Sequence, residues 1–148
     1  MTRRPLGLLA AISAALAVGL TACSGSGPAP SVVGATAAAA APANGAELDA
    51  AAFASAMKRP GTVVLDVRTP AEFADAHLAG AVNLDVNAAD FRTKLSAFAK
   101  DVPYAVYCRS GNRSGTALTV MKGLGFTNTY HLGGGIQAWT AAGGPVTR

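Results

Sequence analysis

The sequence predicts an α/β domain, a parallel sheet with helices on both faces, and three observations carry that reading. From residue 49 onward, runs of strand type alternate with stretches of helical period. Such alternation implies crossover connections and hence parallel strands. The runs Thr62–Val67 and Tyr104–Tyr107 carry apolar side chains at consecutive positions, as strands covered on both faces do. A short polar loop, Cys108 to Ser114, follows the second run. It falls where open α/β sheets bind ligands, beyond the carboxyl ends of the strands.

The elements follow in order. Asp49 is placed to cap a helix that turns Phe53 and Met57 inward and stops near Pro60-Gly61. Thr62–Val67 is a buried strand. Thr69-Pro70-Ala71-Glu72 is a helix start, with a capping hydroxyl, proline at the first helical position and a carboxylate three residues on. That helix is expected to reach Ala76, and a short strand to span Ala81–Leu84. Asp90–Lys100 places Phe91, Leu95 and Phe98 at helical spacing. Tyr104–Tyr107 feeds the cysteine loop. Ser114–Gly123 is helical with Leu118 and Met121 on one face, and Gly123-Leu124-Gly125 stops it. Thr127–Leu132 is a strand, and Ile136–Ala142 a last helix whose Trp139 belongs to the core.

The chain divides into three parts. Residues 1–22 read as a signal peptide: Arg3-Arg4, an apolar run from Leu6 to Leu20, then small residues. That run is shorter than the roughly 20 residues of a membrane span. Leu20-Thr21-Ala22-Cys23 is similar to a bacterial lipobox, which implies acylation of Cys23, export, and anchoring by lipid on the outer face of the cell membrane. Residues 23–44 are nearly all Ala, Gly, Pro, Ser and Val, too poor in large apolar groups to fold, and so a flexible linker. Residues 45–148 form one domain.

Composition narrows the function. The formal charge is +4 from 12 Lys+Arg against 8 Asp+Glu, and removing Arg3 and Arg4 leaves +2. The basic residues are scattered, without interleaved aromatics, so no nucleic-acid partner is expected. Two histidines and the distant cysteines match no zinc spacing. Gly133-Gly134-Gly135 lacks the Lys-Ser/Thr of a phosphate loop.

The chemistry centres on Cys108. With Cys23 acylated, Cys108 has no disulfide partner, and an unpaired thiol in an exported protein reads as reactive. Its polar neighbours, Arg109 through Arg113, predict that it is solvent-accessible. The nucleophile is the thiolate, which needs positive potential at neutral pH. Gly111 allows a tight turn, successive amides form an anion nest, and the following helix adds its positive end. Arg109 and Arg113 suit an oxyanion donor, unless one of them pairs with Asp66 or Glu72. Arg68 is placed to pair with Glu72. Asn112 and Ser114 read as loop and capping residues, His77 as a turn residue, and His131 as a mid-strand residue rather than a base.

Three segments together resemble the rhodanese-like sulfurtransferase domains over residues 45–148. The first is Asp66-Val67-Arg68-Thr69-Pro70-Ala71-Glu72-Phe73 followed by His77-Leu78-Ala79-Gly80-Ala81-Val82-Asn83-Leu84. The second is Cys108-Arg109-Ser110-Gly111-Asn112-Arg113-Ser114. The third is Gly133-Gly134-Gly135-Ile136-Gln137-Ala138-Trp139 with Gly143-Gly144-Pro145-Val146. The resemblance implies a three-layer sandwich around a central, mostly parallel five-stranded sheet. It implies that Cys108 takes a sulfane sulfur from a small anion such as thiosulfate and passes it to cyanide or a thiol, by covalent catalysis in two half-reactions. Arg109 to Ser114 would cradle the persulfide, Asp66 and Arg68 would support the loop, no cofactor is needed, and a monomer is expected. Two other functions share the fold. Non-catalytic interaction modules usually lack the cysteine. Phosphatases and arsenate reductases have a loop one residue longer than Cys108–Arg113.

Overall fold

A computed structural model describes residues 40–148. The signal peptide, Cys23 and most of the proposed linker lie outside the described residues. The elements run β1 (Ala46–Leu48), α1 (Ala50–Met57), β2 (Val63–Asp66), α2 (Pro70–Asp75), β3 (Val82–Asn83), α3 (Phe91–Ser96), β4 (Tyr104–Tyr107), α4 (Asn112–Gly123), β5 (Thr129–Leu132) and α5 (Gly135–Ala141). The five strands form one sheet in the order β1-β5-β4-β2-β3, and every pairing is parallel. The alternating pattern thus produced the sheet it predicted, with β4 at its centre.

The strand period of two sorts the core. Leu65, Tyr104, Val106 and Cys108 point to one face, where they pack with Phe91, Leu95, Leu118 and Met121 from α3 and α4. Val64, Ala105, Tyr107, Tyr130 and Leu132 point to the other, against Phe53 of α1 and Ile136 and Trp139 of α5. Trp139 is a core residue as expected, and its indole N–H donates to Pro145 O at 2.9 Å.

Local signals account for the ends of the helices. Asp49 caps α1 by accepting from Ala52 N at 2.8 Å. The α2 capping box closes in both directions, with Glu72 N donating to Thr69 Oγ1 and Thr69 N donating to Glu72 Oε2. Helix α3 is six residues long, shorter than the amphipathic stretch that predicts it. Phe98 still packs on the core from beyond its end.

Strand β1 had no signal in the sequence. It is three residues long with Glu47 exposed at its centre, and only its pairing with β5 defines it. Asn44 secures the chain just before it: its side-chain carbonyl accepts from Thr129 N at 2.8 Å and Thr129 Oγ1 at 2.9 Å.

Candidate active site

Cys108 directly follows β4, at the carboxyl edge of the sheet's central strand. The chain then turns through Arg109, Ser110 and Gly111 into α4. Gly111 has φ +99°, a region that L side chains resist. From that turn its amide donates to Cys108 Sγ at 3.1 Å.

The thiol is poised for ionisation. Burial pushes its pKa up, but hydrogen bonds from the Ser114 hydroxyl and amide and the Ser110 and Gly111 amides outweigh this and bring it below its ordinary value. The 12-residue α4 directs its amino end to the same place. Of the loop amides, that of Gly111 makes the hydrogen bond to the sulfur.

The thiol does not have the predicted accessibility. Cys108 is 1% exposed, because its side chain turns into the α4 face of the core while the polar residues that suggested exposure, Arg109 and Ser110, stand on the outside.

A second turn holds the loop from behind. Ile136 N donates to Cys108 O at 2.8 Å and Gln137 N to Arg109 O at 3.3 Å. The approach is close enough that a Cβ on Gly135 would lie 2.4 Å from Cys108 O. The Gly133-Gly134-Gly135 run is a spacer that lets α5 dock on the cysteine loop.

The arginines divide. Arg113 Nη1 and Nη2 each donate to a Glu72 carboxylate oxygen at 2.7 Å, so the pairing alternative holds for Arg113. Arg109 makes no ion pair among the described residues. It is exposed and lines a cavity of ≈ 350 Å³ with Arg68, Glu72, Asp75, Ile136 and Gln137. A larger hollow of ≈ 600 Å³, walled by Leu48, Ala52, Ser55, Lys58 and Pro60, has no cysteine in its lining.

The Arg113 guanidinium, helped by Thr69, holds the Glu72 carboxyl down at about 2. The folded value is depressed, so the pair's stabilisation is complete above the ordinary carboxylate range and is lost as pH falls from about 4.5 toward 2. The two side chains are 26% and 30% exposed, which screens the interaction and leaves about 1–2 kcal/mol. Acid titration of wild type and Glu72→Gln, followed by circular dichroism, should show wild type more stable above pH 5 and the two converging below pH 3.

The predicted Arg68–Glu72 pair does not form. Arg68 turns back on Asp66, with Nε donating at 3.0 Å and Nη2 at 2.6 Å, and Nη2 also donates to Ala76 O at 2.6 Å. Two residues on one short turn suit a buried pair, whereas Glu72 is already claimed by Arg113. Asp66 is fully buried, and its partner stacks over the Tyr107 ring at 5.5 Å. The pair fastens the ends of β2 and α2 beside the cysteine loop.

Asn112 and Ser114 do not cap. Gly111 occupies the cap position, and both residues lie within α4. The Ser114 hydroxyl contacts Gly111 O at 2.8 Å and His131 Nδ1 at 3.0 Å. Sequence reasoning missed this placement of His131. The signal for it was the alternation along β5, which puts His131 opposite Tyr130 and Leu132 and so on the α4 side. His77 orders a turn as expected, with Nδ1 2.9 Å from Phe73 O and its ring stacked on Phe73.

The fold and site define a parallel α/β protein with a cysteine at the exit of its central strand, its sulfur accepting from a loop amide. Residues 49–142 match the model of the rhodanese-like domain, and the chain belongs to that family. Among its relatives, the thiosulfate sulfurtransferase GlpE of Pseudomonas entomophila is 38% identical over 87 residues, covering 58% of this chain and 77% of that protein. The GlpE of Pseudomonas putida strain F1 is 39% identical over 85 residues, covering 57% and 74%. In structure, a rhodanese-related protein of Thermoplasma volcanium superposes with TM-score 0.61 at 34% identity, over 69% of this chain and 97% of that one. A thiosulfate sulfurtransferase of Pseudomonas aeruginosa gives 0.57 at 27% identity, over 72% of this chain and 20% of that one.

Proposed function

We propose that this chain is a thiosulfate sulfurtransferase-type enzyme acting through a Cys108 persulfide. The supporting observation is the sulfur's set of donors, from Ser114, Ser110 and Gly111; the next residue, Arg109, makes no ion pair among the described residues and lines a cavity with Arg68. In the first half-reaction the Cys108 thiolate attacks the outer sulfur of thiosulfate. The sulfur–sulfur bond of the donor breaks, and sulfite leaves with the electron pair. The loop amides then share the negative charge of the persulfide. In the second, cyanide or a thiolate attacks the terminal sulfur, and the Cys108 thiolate is the leaving group. No proton transfer is required, which is why neither histidine need act as a base.

Mass spectrometry after thiosulfate treatment tests this. Cys108 should gain one sulfur and lose it on addition of cyanide; no adduct with any sulfane donor would defeat the proposal. Arg109 should act in donor capture. Arg109→Ala is expected to raise KM for thiosulfate about tenfold with little change in kcat, the pattern of lost uniform binding, read from steady-state kinetics. Phosphate-ester hydrolysis is disfavoured because the short loop's Arg113 is engaged by Glu72 and so is not free to ring a phosphate. A p-nitrophenyl phosphate assay should stay at background.

The setting proposed is the cell envelope, with the protein a monomer held by lipid on Cys23. The support is Arg3-Arg4, the Leu6–Leu20 run and the Leu20-Thr21-Ala22-Cys23 motif. Palmitate labelling that is lost in Cys23→Ala would establish it, and an unlabelled, freely soluble wild type would overturn it.

A further inference from the structure

Behind the cysteine loop, side chains from three elements form a chain of contacts that ends at the sulfur. Glu47 of β1 lies 3.4 Å from His131 Nε2. His131 of β5 puts Nδ1 3.0 Å from Ser114 Oγ. Ser114 of α4 is fully buried; its hydroxyl donates to the carbonyl of Gly111, the residue whose amide donates to Cys108 Sγ at 3.1 Å, and its hydroxyl and amide both draw the Cys108 pKa down. The sulfur-transfer steps above leave Glu47 and His131 without a role.

The Ser114 hydroxyl has a single proton to donate. Around it stand the Gly111 carbonyl at 2.8 Å, the Cys108 sulfur and His131 Nδ1. The first two only accept once the thiol is ionised. Nδ1 accepts or donates according to the state of the ring. With Nε2–H directed at the Glu47 carboxylate, Nδ1 is bare and competes for the hydroxyl proton. When the ring is doubly protonated, Nδ1–H donates to Ser114 Oγ, and the hydroxyl proton turns to Gly111 O and the sulfur.

We propose that His131 is a positioning residue for sulfur transfer, deciding through its Nδ1 contact whether the Ser114 hydroxyl proton serves the Cys108 sulfur. This rests on Cys108 being the reacting thiol. Burial lowers the imidazole's pKa, against the raising pull of Glu47. The ionisable groups that face it are Glu47 from β1, Cys108 beyond Ser114, and Lys122 of α4. Lys122 shares with His131 a cavity of ≈ 300 Å³ lined also by Asn44, Thr119 and Thr129. Coupling of this kind is reciprocal: a protonated His131 favours the thiolate, and the thiolate or persulfide favours a protonated His131.

Two measurements on the full chain test this. The first is NMR titration of the His131 ring in wild type and Cys108→Ser, with His77 as the reference signal. His131 should titrate about one pH unit higher in wild type, where an anion stands beyond Ser114. The second is the pH dependence of Cys108 alkylation by iodoacetamide. Wild type should depart from a single-ionisation curve, while His131→Gln, whose side chain does not titrate, should follow one. In a Ser114→Ala background, His131→Gln should add nothing. Equal His131 titrations in the two proteins, or a His131 dependence that survives Ser114→Ala, would overturn the proposal. Neither measurement needs a sulfur donor. Coupling without thiosulfate transfer would therefore count against the proposed function alone, and transfer without coupling against this inference alone.

Discussion

Replacing Cys108 with serine is expected to lower thiosulfate:cyanide transfer by on the order of a thousandfold or more, with a thermal midpoint within a few degrees of wild type. Among the described residues Cys108 is the one free cysteine, so no second thiol there can take over. A hydroxyl keeps the contacts with Gly111 and Ser114 but does not ionise at neutral pH, and the amides that stabilise an anion then have none to stabilise. The assay is run beside mass spectrometry of the thiosulfate-treated proteins. Transfer that persists in Cys108→Ser would move the chemistry elsewhere and dissolve the assignment.

Gly135→Ala is expected to be almost as damaging, by a different route. Gly135 has φ +59°, and its new methyl would lie 2.4 Å from both Cys108 O and Arg109 C. Those are backbone atoms of the reactive loop, which cannot yield without moving the amides off the sulfur. The clash and the left-handed strain together should cost about 3 kcal/mol or more. In a domain of this size that lowers the thermal midpoint by more than about 10 °C. Gly143→Ala is the comparison. It has φ +77° with nothing within 4 Å of its Cβ position, so it should cost only about 1 kcal/mol and leave transfer intact. Scanning calorimetry and the transfer assay separate the two. Equal effects would mean that the docking of α5 on the loop is not what makes Gly135 necessary.

The sequence carried the fold and the nucleophile because their determinants are local. Apolar runs, the Thr69–Glu72 box and the position of Cys108 after a strand can each be read within a few residues. What it did not carry depends on distant partners. Ala46–Leu48 is a strand only because Tyr130–Leu132 lies beside it. Arg113 meets Glu72 across 41 positions, and Arg68 prefers Asp66 once that partner is taken. His131 meets Ser114 through the register of β5 against β4. The burial of Cys108 was hidden for the same reason: its polar neighbours describe the loop's outer surface, while the direction of its side chain is set by the pleat of β4.

The docking of the Gly134–Gln137 turn on the cysteine loop has a consequence for biosynthesis. The clasp is supplied by residues near the carboxyl end, Ile136 N to Cys108 O and Gln137 N to Arg109 O. A growing polypeptide that has passed Cys108 but not yet Gln137 therefore lacks the two bonds that hold the cysteine loop from behind. The backing of the reactive loop is thus among the last parts of the domain to be made.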